Sequence, residues 1–246
     1  MEKRSRGRRP EKIASPHRAL AMLRNKHVEM PARKHDNLPA NSELPAPKRI
    51  PWNKGKLTGA KPPLRQKHVW AIRTKLQIEK RARDLALFNL AIDSKLRGCD
   101  VVALKVEDVA LNGYCADRAT ERQRKTGRPV RFELTEQTRQ AVDDYIKTAG
   151  KKPGEFMFTA CRKQEHRMTT RQYARLLSEW IASIGLDPHL FGTHSLRRTK
   201  ATLIYRRTGN LRAVQLLLGH TKIESTVRYL GIEVDNALSI AEQVDL

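Results

Sequence analysis

From residue 66 onward, apolar residues recur at helical spacing along most of the chain. Val69, Trp70, Ile72, Leu76 and Ile78 lean to one face, and Leu85, Leu87, Phe88, Leu90, Ala91 and Ile92 form a denser run. Recurrence at three and four residues places side chains on one side of a 3.6-residue turn, so two helices are predicted. Arg97-Gly98 marks a break, and Asp100 is placed to cap a short helix through Val101, Val102 and Leu104. Val106, Val109 and Leu111 suggest a short strand. Arg122 to Thr126 and Val130 to Leu134 flank Thr126-Gly127-Arg128-Pro129, which predicts a β-hairpin. Thr135 is expected to cap a helix with Gln137 and Thr138 in its first turn, running through Val142 and Tyr145 to a stop at Gly150. Thr169 or Thr170 starts another, with Leu176, Leu177, Trp180 and Ile181 inward. Further helices are expected near 194–208, 210–218 and 222–230, and an amphipathic one near 233–243. There is no internal repeat. The fold class is mostly α with a small antiparallel β-sheet.

The first 65 residues do not share this pattern. They hold nine of the twelve prolines, and 17 Lys and Arg against 5 Asp and Glu. The stretch LPANSELPAPKRIPWNKGKLTGAKPPL cannot sustain a helix, because each proline removes an amide donor and clashes with the preceding turn. The pattern admits one short helix, around His17–Lys26. Residues 1–65 are therefore read as a basic, proline-rich arm or linker, and 66–246 as the folded domain. The arm is either a solvated, disordered tail or a segment that tracks phosphates or enters a minor groove.

Charge narrows the function. A formal net charge of +23 on 246 residues favours a polyanionic partner. Nucleic acid fits best, and an anionic lipid surface is the rival. No apolar run approaches the ~20 residues needed to span a bilayer, and the N-terminal MEKRSRGRRP is followed by no apolar signal region. Cys99, Cys115 and Cys161 are odd in number and widely spaced, which points to a reducing cytosol rather than a disulfide framework. No CxxC, HxxxH or HExxH spacing occurs, so no metal site is expected.

Candidate chemistry lies in the C-terminal third. In Thr193-His194-Ser195-Leu196-Arg197-Arg198 a helix would put His194 and Arg197 on one face. Arg offers a planar fork of donors to a phosphate, and His moves a proton near neutral pH. Leu218-Gly219-His220 ends one helix at a glycine and puts a second histidine at the junction with the next. Tyr229 follows His220 by nine residues. Each element has a structural alternative: a chance HxxR, a junction histidine, a half-buried aromatic.

Taken together, HSLRR, LLGH and Tyr229 resemble the catalytic signature of the tyrosine recombinases, the phage-integrase family, over roughly residues 68–243. The resemblance implies that family's catalytic-domain fold for 66–246. It also implies an arginine after an apolar helix and a lysine in a β-hairpin. Arg97 fits the first, within Leu96-Arg97-Gly98-Cys99-Asp100, with Asp100 where Glu is frequent. Lys125 fits the second, and Lys105 is the other nearby choice. Arg97 could instead serve as a cation at a helix end.

The catalytic residues implied are Tyr229, Arg97, Lys125, His194, Arg197 and His220. The reaction implied is a DNA strand transesterification through a 3′-phosphotyrosyl link, with no cofactor. Tyr229 would attack, Arg97 and Arg197 hold the non-bridging oxygens, His194 act as base, Lys125 protonate the leaving oxygen and His220 donate to the phosphate. Arg198 and Lys200 could contact backbone phosphates, and Arg206, Arg207 and Arg228 are phosphate contacts or solvated surface. The partners implied are double-stranded DNA, a homotetramer on that DNA, and an accessory protein in place of the usual N-terminal core-binding domain. A cytoplasmic, nucleoid-associated enzyme of a mobile element is expected. Three alternatives stand beside this reading: a nicking-closing enzyme of the type IB topoisomerase kind, a non-catalytic accessory protein on the same scaffold, and a helix-turn-helix regulator around Gly209-Asn210.

Overall fold

The computed structural model describes residues 61–160 and 163–231, with 163–165 as backbone alone. The helices expected near 17–26 and 233–243 lie outside the described residues. Two long helices open the described part, α1 (Gln66–Ile78) and α2 (Ala82–Ser94). Two single-turn helices follow, α3 (Gly98–Val101) and α4 (Val106–Val109), and then a hairpin of β1 (Arg118–Arg122) and β2 (Pro129–Glu133). Next come α5 (Glu136–Ala149), a second strand pair, β3 (Thr159–Ala160) and β4 (Lys163–Arg167), and α6 (Thr170–Ser183). A 3-10 turn at Pro188–Leu190 leads into α7 (Thr193–Thr208), α8 (Leu211–Leu218) and α9 (Ile223–Leu230).

Three expectations need correction. Arg97, not Asp100, occupies the N-cap of α3, and Asp100 lies buried inside its single turn. Residues 106–109 form the helix α4 rather than a strand, and Leu111 is solvent-exposed. Val106 and Val109, three apart, share one face of a helical turn and would point to opposite faces of a strand; the strand expectation rested on the alternate pair Val109 and Leu111, and Leu111 is not buried. The first hairpin strand starts earlier than expected, at Arg118, and its register runs antiparallel from Arg118↔Glu133 to Arg122↔Pro129. The β3–β4 pair, with a register shift at Thr159–Ala160, had no clear sequence signal.

The centre is α2, where every residue from Ala86 to Ser94 is buried. It packs on α1, α5, α7 and β2. Phe88 meets the edge of Trp180 of α6 at 5.6 Å between centroids, a favourable aromatic geometry. A second, smaller apolar cluster of Ala201, Val214 and Leu218 lies under α7, α8 and α9. Thr135 and Thr169 occupy the N-cap positions of α5 and α6, as expected, and Gly150 closes α5 at φ +61°. Among the described residues no helix is long and apolar enough to cross a membrane.

A buried polar network joins the end of α2 to the hairpin and to α7. Asp93 accepts from the Thr135 amide (2.9 Å), the Thr135 hydroxyl (2.7 Å) and the Thr138 hydroxyl (2.6 Å), so it caps α5 from another element. Its other oxygen pairs with Lys200 of α7 at 2.8 Å. Lys200 and the fully buried Lys95 both reach Glu133 at the end of β2, at 2.9 and 3.0 Å. Burial alone would raise the Asp93 carboxyl, but the Lys200 charge and the hydrogen bonds from Lys200, Thr138 and Thr135 outweigh it and hold the group below the ordinary carboxylate value. Lys200 is therefore an internal strut rather than a DNA-facing cation. Asp93→Asn is expected to lower the unfolding free energy by about 3 kcal/mol, because it leaves a mostly buried ammonium short of a partner. The double variant Asp93→Asn with Lys200→Met is expected to recover part of that loss, as read by urea denaturation.

Candidate active site

Helix α7 supplies the first two groups. Gly192 precedes it in extended conformation, and its amide donates to the Ser195 hydroxyl at 3.2 Å, fixing the first turn. His194 stands exposed on that turn, and Arg197, one turn on, is only 2% exposed. Partial desolvation, with the charges of Arg197, Arg97, Arg198 and Lys125, holds the His194 imidazole below its ordinary value of 6.5.

The end of α8 holds Arg197. Leu218 is the last residue of that helix, so its carbonyl has no partner within the helix and sits at the negative end of the helix dipole. It accepts from Arg197 Nη2 at 2.7 Å and from Gln123 Nε2 at 3.1 Å. Gln123 Oε1 in turn accepts from Arg97 Nη1 and from the Thr126 hydroxyl. One buried amide thus links the two guanidinium groups through the Leu218 carbonyl. A side-chain amide suits this place because its oxygen accepts on one side while its nitrogen donates on the other. Gly219 follows at φ +65°, and a Cβ there would lie 2.5 Å from Val130 Cγ2 and 2.9 Å from Gln123 Nε2. Glycine is required both by the left-handed backbone and by this close approach to the hairpin.

The hairpin carries Lys125 on its exposed tip. The Arg124 amide donates to Asp100 at 3.1 Å, which ties the tip to α3 beside Arg97. Lys105, the other candidate lysine, pairs with Glu107 at 3.3 Å on α4.

His220 is half-buried. Its Nδ1 lies 3.1 Å from the hydroxyl of the buried Thr226, and its Nε2 lies 3.5 Å from Arg197 Nη2. Arg197 can only donate, so in this geometry Nε2 accepts and Nδ1 carries the proton. Desolvation, with the charges of Arg197 and Arg97, pushes this imidazole down to about 4. Gln215, buried in α8, fastens the turn from below by donating to the His220 and Thr221 carbonyls at 3.1 and 3.2 Å.

Tyr229 of α9 closes the group. Its ring meets the edge of His220 at 5.4 Å, and the Arg197 and Arg198 guanidinium carbons lie 5.7 and 5.4 Å from the ring centroid. Its hydroxyl donates to the His194 main-chain carbonyl at 3.4 Å, not to the imidazole. Burial pushes the phenol up to about 12, against the pull of Arg197, Arg198 and Arg97. Among the described residues none of the three arginines forms an ion pair with a carboxylate, and Arg197 Nε is buried without a hydrogen-bond partner.

Arg97, His194, Arg197, His220 and Tyr229 therefore come together from four separate segments, with Lys125 on the hairpin tip close enough for its charge to act on His194. Arg198 does not face solvent as expected: it is 5% exposed and donates to the Lys61 carbonyl at 2.7 Å. Arg206, Arg207 and Arg228 are exposed. Gln123, Gln215 and Thr226 were not anticipated. For Gln123 a signal existed, since it continues the inward parity of Ala119 along β1.

The probable integrase/recombinase YoeC of Bacillus subtilis is 33% identical over 158 residues, which cover 64% of this chain and 82% of YoeC. Tyrosine recombinase XerC of Neisseria meningitidis is 30% identical over 165 residues, 65% of this chain, so the chain spans about half (51%) of that relative. Among solved structures, XerA recombinase aligns with a TM-score of 0.61 at 20% identity, covering 79% of this chain and 69% of that one. The post-cleavage complex of XerH site-specific recombinase with palindromic difH substrate aligns at 0.59 and 20% identity, covering 74% and 54%. These likenesses show a shared fold. The phage integrase family profile matches residues 63–234, which include all the clustered side chains, and the chain belongs to that family.

Proposed function

We propose that this chain cleaves and rejoins duplex DNA as a site-specific recombinase, with Tyr229 as nucleophile. The observation that carries the reading is the set of buried guanidinium groups around one phenol, without a carboxylate to neutralise them among the described residues. A buried cation without a counter-ion is costly, so such a cluster suits a site that an anion completes. A phosphodiester fits: its non-bridging oxygens would accept from Arg97 and Arg197, and the charge that builds on them in the five-coordinate transition state would strengthen those bonds.

The steps balance without an added reagent. The Tyr229 oxygen attacks phosphorus, a 3′-phosphotyrosyl bond forms, and the bond to the 5′-oxygen breaks. Two protons must move. The phenol at about 12 is ionised to only about one part in 10⁵ at pH 7, so its proton leaves as attack proceeds. His194, neutral at that pH, is the proposed acceptor once an entering phosphate draws the phenol off the His194 carbonyl. Lys125 would protonate the leaving 5′-oxygen from the hairpin tip. His220 would donate to a non-bridging oxygen. The Thr226 hydroxyl can both give and take a hydrogen bond, which permits the His220 proton to move to Nε2 for that contact. Attack by a 5′-hydroxyl of another strand reverses the sequence. Exchange between two duplexes needs four such sites, and a homotetramer on DNA is proposed accordingly.

The test uses duplex DNA from the flanks of the native gene, nicked beside candidate cleavage positions so that the leaving strand diffuses away. The full chain is expected to accumulate a covalent adduct on the peptide containing Tyr229. Failure to form an adduct, with DNA still bound, would favour the accessory-protein reading. Tyr229→Phe is expected to abolish the adduct while leaving affinity for DNA unchanged in a gel-shift titration. Arg97→Lys or Arg197→Lys is expected to slow adduct formation by about 10- to 1,000-fold at saturating DNA.

The pH profile follows from the histidines. Because His194 is held below 6.5, its base form persists as pH falls through 6.5. Adduct formation is expected to stay level from pH 8 to about 6.5 and to decline only below that, and His194→Gln is expected to remove this acid limb.

A further inference from the structure

The segment 61–64 crosses the start of α7 and is pinned at both ends. The Lys61 carbonyl accepts from Arg198 Nη1 at 2.7 Å, and the Lys61 ammonium donates to the Phe191 carbonyl at 2.6 Å. At the other end the Leu64 amide donates to the Thr199 hydroxyl at 3.0 Å, and the Leu64 side chain is buried in the main core. Between them lie Pro62 and Pro63, which have fixed φ and no amide hydrogen. The residue before a proline is itself confined to extended backbone. The segment is thus a short stiff strap, and the Leu64 amide is the first after Lys61 that can report on it.

Arg198 is where the strap meets the site. One edge of its guanidinium holds the Lys61 carbonyl, and its carbon lies 5.4 Å from the centre of the Tyr229 ring. It also passes 3.6 Å from where a Cβ on Gly231 would stand, just beyond the end of α9. We propose that Arg198 is a positioning residue for Tyr229, clamping the ring against the strap, so that the 61–64 segment helps to set where the nucleophile lies. A planar fork is needed, because one edge bonds a carbonyl while the rest lies against an aromatic ring; a lysine can satisfy only one of these demands. The proposal rests on Tyr229 being the nucleophile. It gives the strap, which leads out of the basic N-terminal sequence, mechanical access to the reacting group.

The charged and titratable groups around the phenol are Arg97, Arg197, Arg198, His194 and His220, with Lys125 acting on His194. Arg198 is the one among them anchored to the strap. Its charge also opposes the upward push of burial on the phenol, so removing it moves phenol ionisation to higher pH.

Two measurements on the full chain test the clamp. The first needs no DNA: hydrogen exchange at the Leu64 amide. Arg198→Met is expected to speed that exchange roughly tenfold by freeing the Lys61 end. The second is adduct formation on the nicked duplex at saturating DNA. Arg198→Met is expected to slow it roughly 10- to 100-fold and to displace the pH profile toward alkali, with DNA affinity little changed. Arg198→Lys keeps the charge and loses the fork, so the rate falls while the profile stays in place. Thr199→Val loosens the strap with Arg198 intact and is expected to speed Leu64 exchange and slow the adduct about threefold; it decides the matter if Arg198→Met does not fold. Unchanged Leu64 exchange in Arg198→Met overturns the clamp whether or not the wild-type chain cleaves DNA. So does a wild-type adduct rate in variants whose strap has been loosened, or a loss confined to DNA affinity. No adduct with the wild-type chain, alongside faster Leu64 exchange in Arg198→Met, sinks the recombinase reading and with it the positioning role, and leaves only the tie between Arg198 and the strap.

Discussion

Positive charge gathered around one phenol and held by neutral partners is the constraint on which the rest of this structure depends. Arg197 is held by the Leu218 carbonyl, Arg97 by the Gln123 amide oxygen and Arg198 by the Lys61 carbonyl. Each acceptor is a dipole rather than a charge. It fixes the direction of a guanidinium without cancelling its field. A carboxylate at any of these places would cancel that field and compete with an incoming anion. Immediately behind, across α7, the opposite arrangement prevails: Asp93 and Glu133 balance Lys95 and Lys200 one for one. One face of the helix is thus anchored by a neutralised network, and the other remains electrostatically open.

That field sets the protonation states of the site. Both imidazoles are held below their ordinary value by desolvation and neighbouring cations, so both are neutral at pH 7. The phenol is pulled downward by the same cations, yet burial wins and leaves it at about 12. In the proposed reaction Tyr229 is not ionised in advance, so its proton is removed during attack, and a neutral imidazole nearby is the proposed acceptor.

The geometry depends on where elements stop. Leu218 can accept from two donors because α8 ends there and Gly219 turns the chain in a way that a side chain would block. Lys125 stands near His194 because Asp100, inside the turn that Arg97 caps, holds the Arg124 amide of the hairpin. Caps, turns and helix ends are thus the means by which the fold gathers the side chains proposed to act.

Much of this was legible in sequence. The 3.6-residue recurrence of apolar positions places α1, α2 and α6 within a few residues, helices are also expected where α5, α7, α8 and α9 form, and threonine and glycine mark several of their ends. HSLRR, LLGH and Tyr229 direct attention to the third of the chain where the structure gathers His194, Arg197, His220 and Tyr229. Short elements were less legible: at 106–111 the alternate pair Val109 and Leu111 pointed to a strand while the pair Val106 and Val109 fitted the helical turn that forms, and β3 and β4 are too brief to carry a period. What the sequence by itself determined is the run of helices, the hairpin and the identity of the chemical groups, because these depend on spacing along the chain. Only the tertiary structure decided that Arg198 turns inward to a carbonyl 137 residues away and that Lys200 serves the core. It alone brought Gln123 between two arginines. Each of those outcomes is set by which acceptor or counter-charge packing brings within hydrogen-bond reach, and that distance is a property of the folded chain.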